Sequence, residues 1–284
     1  MKALIETDVH AFADRVLPWV AREPVVNNVL AGNVEAVRDG RRHYEGAIWL
    51  TALDEAGEVV GAAMQTPPHK LFVCPMPEDA VRALAQALRG VRPELIGVVG
   101  VVDTAAAFTR EWQQATGATV ATDLDERLYA LGTLAPPANV AGRRRAALPP
   151  DRELLTDWSL AFHHEAMGGR PADPIPEVVE RRIAEGSYHL WEEDGRAVCL
   201  AGVSLPSAGV SRIGPVYTPP EHRRHGYGSA CVASATQHAL DAGAEACMLY
   251  TDLANATSNA IYQAIGYRPV CDAREYSFSY PTDA

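Results

Sequence analysis

Ile213-Gly214-Pro215-Val216-Tyr217-Thr218-Pro219-Pro220-Glu221-His222-Arg223-Arg224-His225-Gly226-Tyr227-Gly228-Ser229 is the stretch from which the rest of the chain can be read. Its apolar opening reads as a strand, and two prolines stop it. Basic residues and two glycines then open a helix whose apolar positions are Cys231, Val232, Ala235, Ala239 and Leu240. A helix start presents free N–H groups and about half a positive charge. Glycine lets the backbone approach phosphate oxygens with no Cβ in the way. With Arg223, Arg224 and His225 around the same point, the segment is an anion cradle suited to a pyrophosphate. The letters R-x-x-G-x-G are a weak signal alone, so the neighbouring sequence has to decide.

Around the cradle the second half alternates strand and helix. A helix opens at Asp151 and carries Trp158, Leu160, Ala161 and Phe162, and a second follows Pro176, which suits a first turn. Tyr188–Trp191 and Ala197–Val203 flank Glu192-Glu193-Asp194-Gly195, a hairpin signal. Val210–Tyr217 is the strand into the cradle. A helix over about 227–243, a strand over Ala246–Thr251, a helix over about 256–265 and closing strands over Arg268–Tyr280 complete the order.

Downstream of Leu249-Tyr250-Thr251-Asp252 stands Asn255-Ala256-Thr257-Ser258-Asn259-Ala260-Ile261-Tyr262-Gln263-Ala264-Ile265-Gly266-Tyr267. With the strand into Arg223-x-x-Gly226-x-Gly228, this block resembles the GNAT superfamily of N-acetyltransferases over roughly residues 210–280. The resemblance implies acetyl-CoA as co-substrate, and no metal. It implies that the strand ending at Val216, Tyr217 and Thr218 splays from its neighbour and binds the pantetheine arm, an N–H there polarising the thioester carbonyl. Arg223, Arg224, His225, Gly226, Tyr227, Gly228 and Ser229 would hold the pyrophosphate. Asn255 and Asn259 would contact the coenzyme, and Tyr262 would protonate the departing thiolate. The residue types suit these roles. A phenol near pKa 10 is protonated at neutral pH and can supply a thiolate with a proton, and N–H groups aimed at a carbonyl oxygen stabilise a tetrahedral intermediate. Read without that context, Tyr262 is a packing aromatic and Asn255 a helix N-cap. The general base is open: Glu165 beside His163 and His164, Glu221, Asp252 or a water chain.

The first half repeats the order faintly. Ile48–Leu53 and Val59–Met64 flank Asp54-Glu55-Ala56-Gly57, then come Leu71-Phe72-Val73, a helix near 78–89, a strand at Leu95–Val99 and a helix at 104–116. After Val73, however, Cys74-Pro75-Met76-Pro77-Glu78-Asp79 has no glycine pair or arginine, and acids stand where phosphates would lie. If Gly117 matches Gly266, Gln113 stands at the position of Tyr262 and Arg110 at that of Asn259. The expectation is an α/β (α+β) chain of two GNAT-like domains, each a mixed, mostly antiparallel sheet flanked by helices. Residues 1–134 form a degenerate domain that shapes the substrate cleft, 135–150 a linker, and 151–284 the catalytic domain. Trp19, Trp49 and Tyr44 read as core residues before pocket residues.

Composition narrows the alternatives. The 284 residues carry a net charge of -11, and Lys2 and Lys70 are the lysines, which disfavours a nucleic-acid partner. Arg143-Arg144-Arg145, set between prolines, reads as a solvated linker. Five cysteines without a CxxC pair read as packing residues, neither zinc site nor disulfide framework. No apolar run reaches membrane-span length and the start has no signal-peptide pattern, so a cytoplasmic protein is expected, monomeric or homodimeric. The function expected is acetyl transfer from acetyl-CoA to a small-molecule primary amine by direct attack in a ternary complex. The alternatives are another acyl-CoA or acceptor (an amino acid or a thiol-cofactor precursor) and a CoA-binding sensor without catalysis. A P-loop enzyme lacks its Gly-Lys-Ser/Thr, and a Rossmann dehydrogenase its third glycine.

Overall fold

A computed structural model describes residues 1–166 and 173–280. The chain divides into two compact units, Met1–Leu128 with Cys271–Ala284, and Tyr129–Val270. Among the described residues no helix is long and apolar enough to cross a membrane.

The first unit runs β1 (Lys2–Glu6), α1 (Val9–Val20), α2 (Asn28–Arg38), β2 (Ile48–Leu53), β3 (Val59–Gln65), β4 (Leu71–Val73), α3 (Glu78–Arg89), β5 (Gly97–Val101), α4 (Val102–Thr116) and the start of β6 (Thr119–Leu131). Its strands lie in the order β1-β2-β3-β4-β5, followed by the last strand of the chain, β12 (Tyr267–Ser279). β12 runs antiparallel to β5 from Ala273 opposite Val101 to Ser277 opposite Gly97. Alternate residues of β2, Ile48, Leu50 and Ala52, face the buried sides of α3 and α4, Leu84, Leu88, Phe108 and Trp112 among them, as the period of two requires. Trp49 is fully buried against Phe12, so it belongs to the core. Tyr44 donates to Asn33 and accepts from Arg42 at 3.1 Å each, which makes it a local clamp.

The second unit contains the end of β6, then β7 (Arg143–Ala146), α5 (Arg152–Ala166), α6 (Ile175–Ala184), β8 (Tyr188–Glu193), β9 (Arg196–Val203), β10 (Val210–Tyr217), α7 (Tyr227–Asp241), β11 (Ala246–Asp252), α8 (Ala256–Ala264) and the start of β12. Its strand order is β6-β11-β10-β9-β8-β7. α7 and α8 pack with one face of this sheet, where Cys199, Ala201, Ile213, Cys231, Val232, Cys247 and Tyr267 form the core. The aromatic-rich cluster of Leu155, Trp158, Val179, Tyr188 and Tyr217 joins α5 and α6 to the other face. The unit boundaries fall within β6 and β12, and the final strand from Cys271 makes its contacts in the first unit.

Arg143-Arg144-Arg145 is not a solvated linker. It is strand β7, antiparallel to β8 with Arg144 opposite Trp191 and Arg145 opposite Leu190. Arg143 remains 82% exposed, but the other two charges are met by the fold. Arg145 binds Asp151 through two nitrogens, at 2.7 and 2.8 Å, and Glu192 at 2.7 Å. Arg144 donates to Nδ1 of His189 at 2.8 Å.

His189 is 2% exposed and packs its ring edge-to-face on His238, with centroids 4.7 Å apart. Burial first, then the neighbouring Arg144 and His238, push its pKa down to about 4. The folded protein therefore holds His189 neutral while the unfolded chain takes up a proton below about pH 6.5. That stabilisation is complete above pH 6.5 and is lost as pH falls toward 4. At pH 5 the loss from this residue is about 2 kcal/mol. Urea denaturation of the unaltered protein at pH 7 and pH 5 should show it, and the difference should shrink in His189→Asn.

Candidate active site

The site is built where β10 and β11 part. They pair in parallel from Val210 opposite Ala246 to Arg212 opposite Met248, and the register ends there. β10 continues on its other side with β9, Val216 opposite Ala201 and Tyr217 opposite Leu200, after a bulge between Ile213 and Val216. The sequence makes this turn away from β11 possible. Pro215 has no N–H for a ladder. At Gly202 a Cβ would lie 2.3 Å from the carbonyl oxygen of Gly214, so only glycine allows β9 and β10 to approach this closely. The ends of β10 and β11 thus diverge on the side where α7 begins.

The loop into α7 takes two left-handed residues, Arg224 (φ 67°) and Gly226 (φ 81°). At Gly226 an added Cβ would also come to 3.0 Å from Val140. The helix ladder opens with the Ala230 N–H on the Gly226 carbonyl at 3.0 Å. Among the described residues the N–H groups of Arg224 to Ser229 meet no acceptor, and they mark the end of the helix that favours an anion. Arg224 and His225 are exposed, His225 stacking on Tyr227 with centroids 5.4 Å apart. Tyr227 itself is buried and its hydroxyl donates to Glu193, whose carboxylate raises its pKa.

Thr218 ties strand to loop. Its hydroxyl donates to Sγ of Cys199 at 3.2 Å, and its carbonyl accepts from Nε of Arg223 at 2.9 Å. The guanidinium of Arg223 goes on to Glu165, Nη2 to Oε2 at 2.6 Å, and Tyr217 donates to the other oxygen, Oε1, at 3.0 Å. Burial, then the Glu165 carboxylate, raise the Tyr217 phenol above its ordinary pKa.

On the β11 side, Asp252 caps the turn through the N–H of Ala254 at 2.7 Å, and Asn255 caps α8 through the N–H of Ser258 at 2.9 Å. Asn259 donates to the carbonyls of Asp252 (2.9 Å) and Asn255 (2.8 Å) and accepts from the Tyr129 hydroxyl at 2.8 Å. Both its N–H donors are spent on holding the turn, which leaves one acceptor position on its oxygen. Tyr262 is 8% exposed and meets Tyr267 edge-to-face, with centroids 6.3 Å apart. Burial is the main cause that pushes its phenol well above the ordinary value, so it carries its proton throughout the neutral range.

Of the candidate bases, Glu165 bonds directly to Tyr217 and Arg223 at the β10 end of the opening. Glu221 is exposed on the turn before Arg223, and Asp252 is committed to its turn. His163 is half-buried with its pKa lowered by burial, and His164 is exposed. Sequence reasoning did not find Tyr129, a fully buried residue of β6 that holds both Asn259 and, at 3.2 Å, Gln263. Its partners lie 130 or more residues away, so no local pattern marks it. Among the described residues no group of His, Cys, Asp and Glu is placed to hold a metal ion.

Among the described residues of the first unit, β4 and β5 leave no such opening. All of β4 pairs in parallel with β5, from Leu71 opposite Val98 to Val73 opposite Gly100. A Cβ at Gly100 would lie 2.5 Å from the Val73 carbonyl oxygen. α3 then starts with Glu78 and Asp79 in its first turn, charges that repel a phosphate.

Residues 153–267 match the model of the acetyltransferase (GNAT) family. No curated protein matches the chain. A GCN5-related N-acetyltransferase from Sphaerobacter thermophilus is similar in structure, with TM-score 0.62 at 15% identity over 99% of this chain and 97% of that one. A GNAT-family acetyltransferase from Colwellia psychrerythraea gives 0.61 at 10% identity over 99% and 100%. A tandem GNAT protein from the clavulanic acid biosynthesis pathway gives 0.55 at 14% identity over 99% and 100%. At these identities the likeness is one of fold, and it runs the length of the chain. Residues 153–267 are thus similar to the acetyltransferase (GNAT) family, in a chain whose fold is like that of a tandem GNAT protein.

Proposed function

We propose that the second unit transfers an acetyl group from acetyl-CoA to a small-molecule primary amine by direct attack in a ternary complex. The observation that carries this reading is the parting of β10 from β11 beside the unengaged first turn of α7. An extended pantetheine arm can lie in such an opening, and the N–H groups over Arg224–Ser229 suit its diphosphate. Acetyl-CoA brings the activated thioester, and the chain's own groups do the rest. In this reading an N–H at the Val216–Thr218 end of β10 polarises the thioester carbonyl. Tyr262, kept protonated by burial, gives the departing thiolate its proton. Glu165 is the candidate to accept a proton from the incoming amine. Asn255 and Asn259 contribute by fixing the turn that leads into the helix of Tyr262.

The paired β4–β5 ends and the acidic α3 start support a single donor site per chain. Calorimetric titration with acetyl-CoA should give micromolar binding with one site per chain. Gly226→Glu should abolish it, since a side chain there is strained at φ 81° and brings a negative charge into the cradle. Two sites per chain would overturn the reading of the first unit, and no binding would sink the acetyl-CoA assignment. Tyr262→Phe should leave acetyl-CoA affinity within about twofold of the unaltered protein. In steady-state thiol-release assays it should lower kcat by about 100-fold.

A further inference from the structure

Arg223 is placed by the cradle sequence yet faces away from a purely phosphate-binding role. Its Nη2 is 2.6 Å from Glu165 and its Nε 2.9 Å from the Thr218 carbonyl, while its guanidinium carbon sits 5.9 Å from the Tyr217 ring centroid. Glu165, on the last turn of α5, has both oxygens engaged, one by Tyr217 and one by Arg223. One guanidinium thus joins the end of α5, the end of β10 and the loop whose next residues start α7. In this arrangement each Glu165 oxygen already carries a donor, and Oε2 is held in an ion pair with Arg223. The Arg223–Glu165 pair is 44% and 42% exposed, so solvent and ligands reach it. Such a pair is weak enough to exchange partners. A diphosphate carries more charge than a carboxylate and accepts the same planar fork.

Resting on the donor-site reading above, we propose that Arg223 is a positioning residue shared between donor and acceptor. Donor diphosphate draws its guanidinium from Glu165. The carboxylate, still held at Oε1 by Tyr217, then presents Oε2 to the acceptor. There the ammonium N–H bond breaks and an O–H bond forms on Glu165, leaving a neutral amine to attack. The base is thus released from its ion pair only once the donor is seated. By linkage, the Glu165 charge weakens donor binding through Arg223 by the strength of the pair it must give up.

The test is a double-mutant cycle on the dissociation constant of free CoA, a probe with the diphosphate and no acetyl group to transfer. Glu165→Gln in the unaltered background should tighten CoA binding by about two- to fivefold, the range of an exposed ion pair. In the Arg223→Ala background the same change should have no effect, a coupling that a general loss of negative charge or a merely structural role would not produce. Unchanged or weaker binding in Glu165→Gln overturns the proposal, as does a tightening that persists without Arg223. If the unaltered chain binds no CoA, the donor-site reading falls with it. If it binds CoA and the cycle is flat, the coupling alone falls.

Discussion

The parallel ladder between β10 and β11 runs for three residue pairs, and the second unit is arranged around its ending. A parallel strand in a covered sheet normally spends its N–H and C=O groups on neighbours, because an unpaired buried group is costly. Here the strand is drawn to β9 instead, through a bulge and a backbone approach that Gly202 alone permits. Thr218 then fixes the strand end from both sides, with its hydroxyl on Cys199 and its carbonyl on Arg223. Across the gap, Tyr129 and Asn259 hold the β11–α8 turn. The opening is therefore framed by side-chain bonds on both margins, so it persists as a feature of the fold.

The polar groups around this opening divide by burial. Tyr262 and Tyr217 lie against the core and have raised phenol pKa values, which keeps them as proton carriers or donors at neutral pH. Arg223 and Glu165 stay half-exposed, where charge costs little to keep and partners exchange readily. Under the proposed mechanism, the groups that hold one protonation state are thus inside, and those that change partner are at the rim.

Much of this was legible in the residues, and the limits have physical causes. β10 and α3 were expected at their observed bounds, and the hairpin of β8 and β9 to within two residues, because a strong apolar period ends at proline or glycine. The left-handed position at Gly226 follows from a glycine before a helix. β7 was hidden by its charge: three arginines in a row look solvated until Asp151, Glu192 and His189 are folded beside them. β6 and β12 are long strands with many exposed charged residues, matched by pairs such as Arg127 with Asp272 and Arg274 with Asp125, so alternation of apolar residues does not reveal their length. At the site, residue type does not give the bonds that the side chains make. Arg223 fits a phosphate by its chemistry and meets a carboxylate in the fold, and only the end of α5, 58 residues earlier, decides that.

The first unit shows how little has to change for such an opening to be lost. It keeps the hairpin, the parallel pair and the following helix, and its core of Leu84, Leu88, Phe108 and Trp112 is fully packed. Fold stability resides in that packing and is indifferent to whether the strand ends part. Closing them takes a backbone contact at Gly100 and Val73, two acids at the helix start in place of arginine and glycine, and Met76 seated where Gly61 leaves space for its side chain. The two acids lie outside the buried apolar cluster, whereas Val73 belongs to it and Met76 packs against it. A shared fold therefore says little about shared activity. In this chain the chemistry has to be argued from the strand ends of the second unit, where the ladder stops and the backbone of the cradle is left to bind something else.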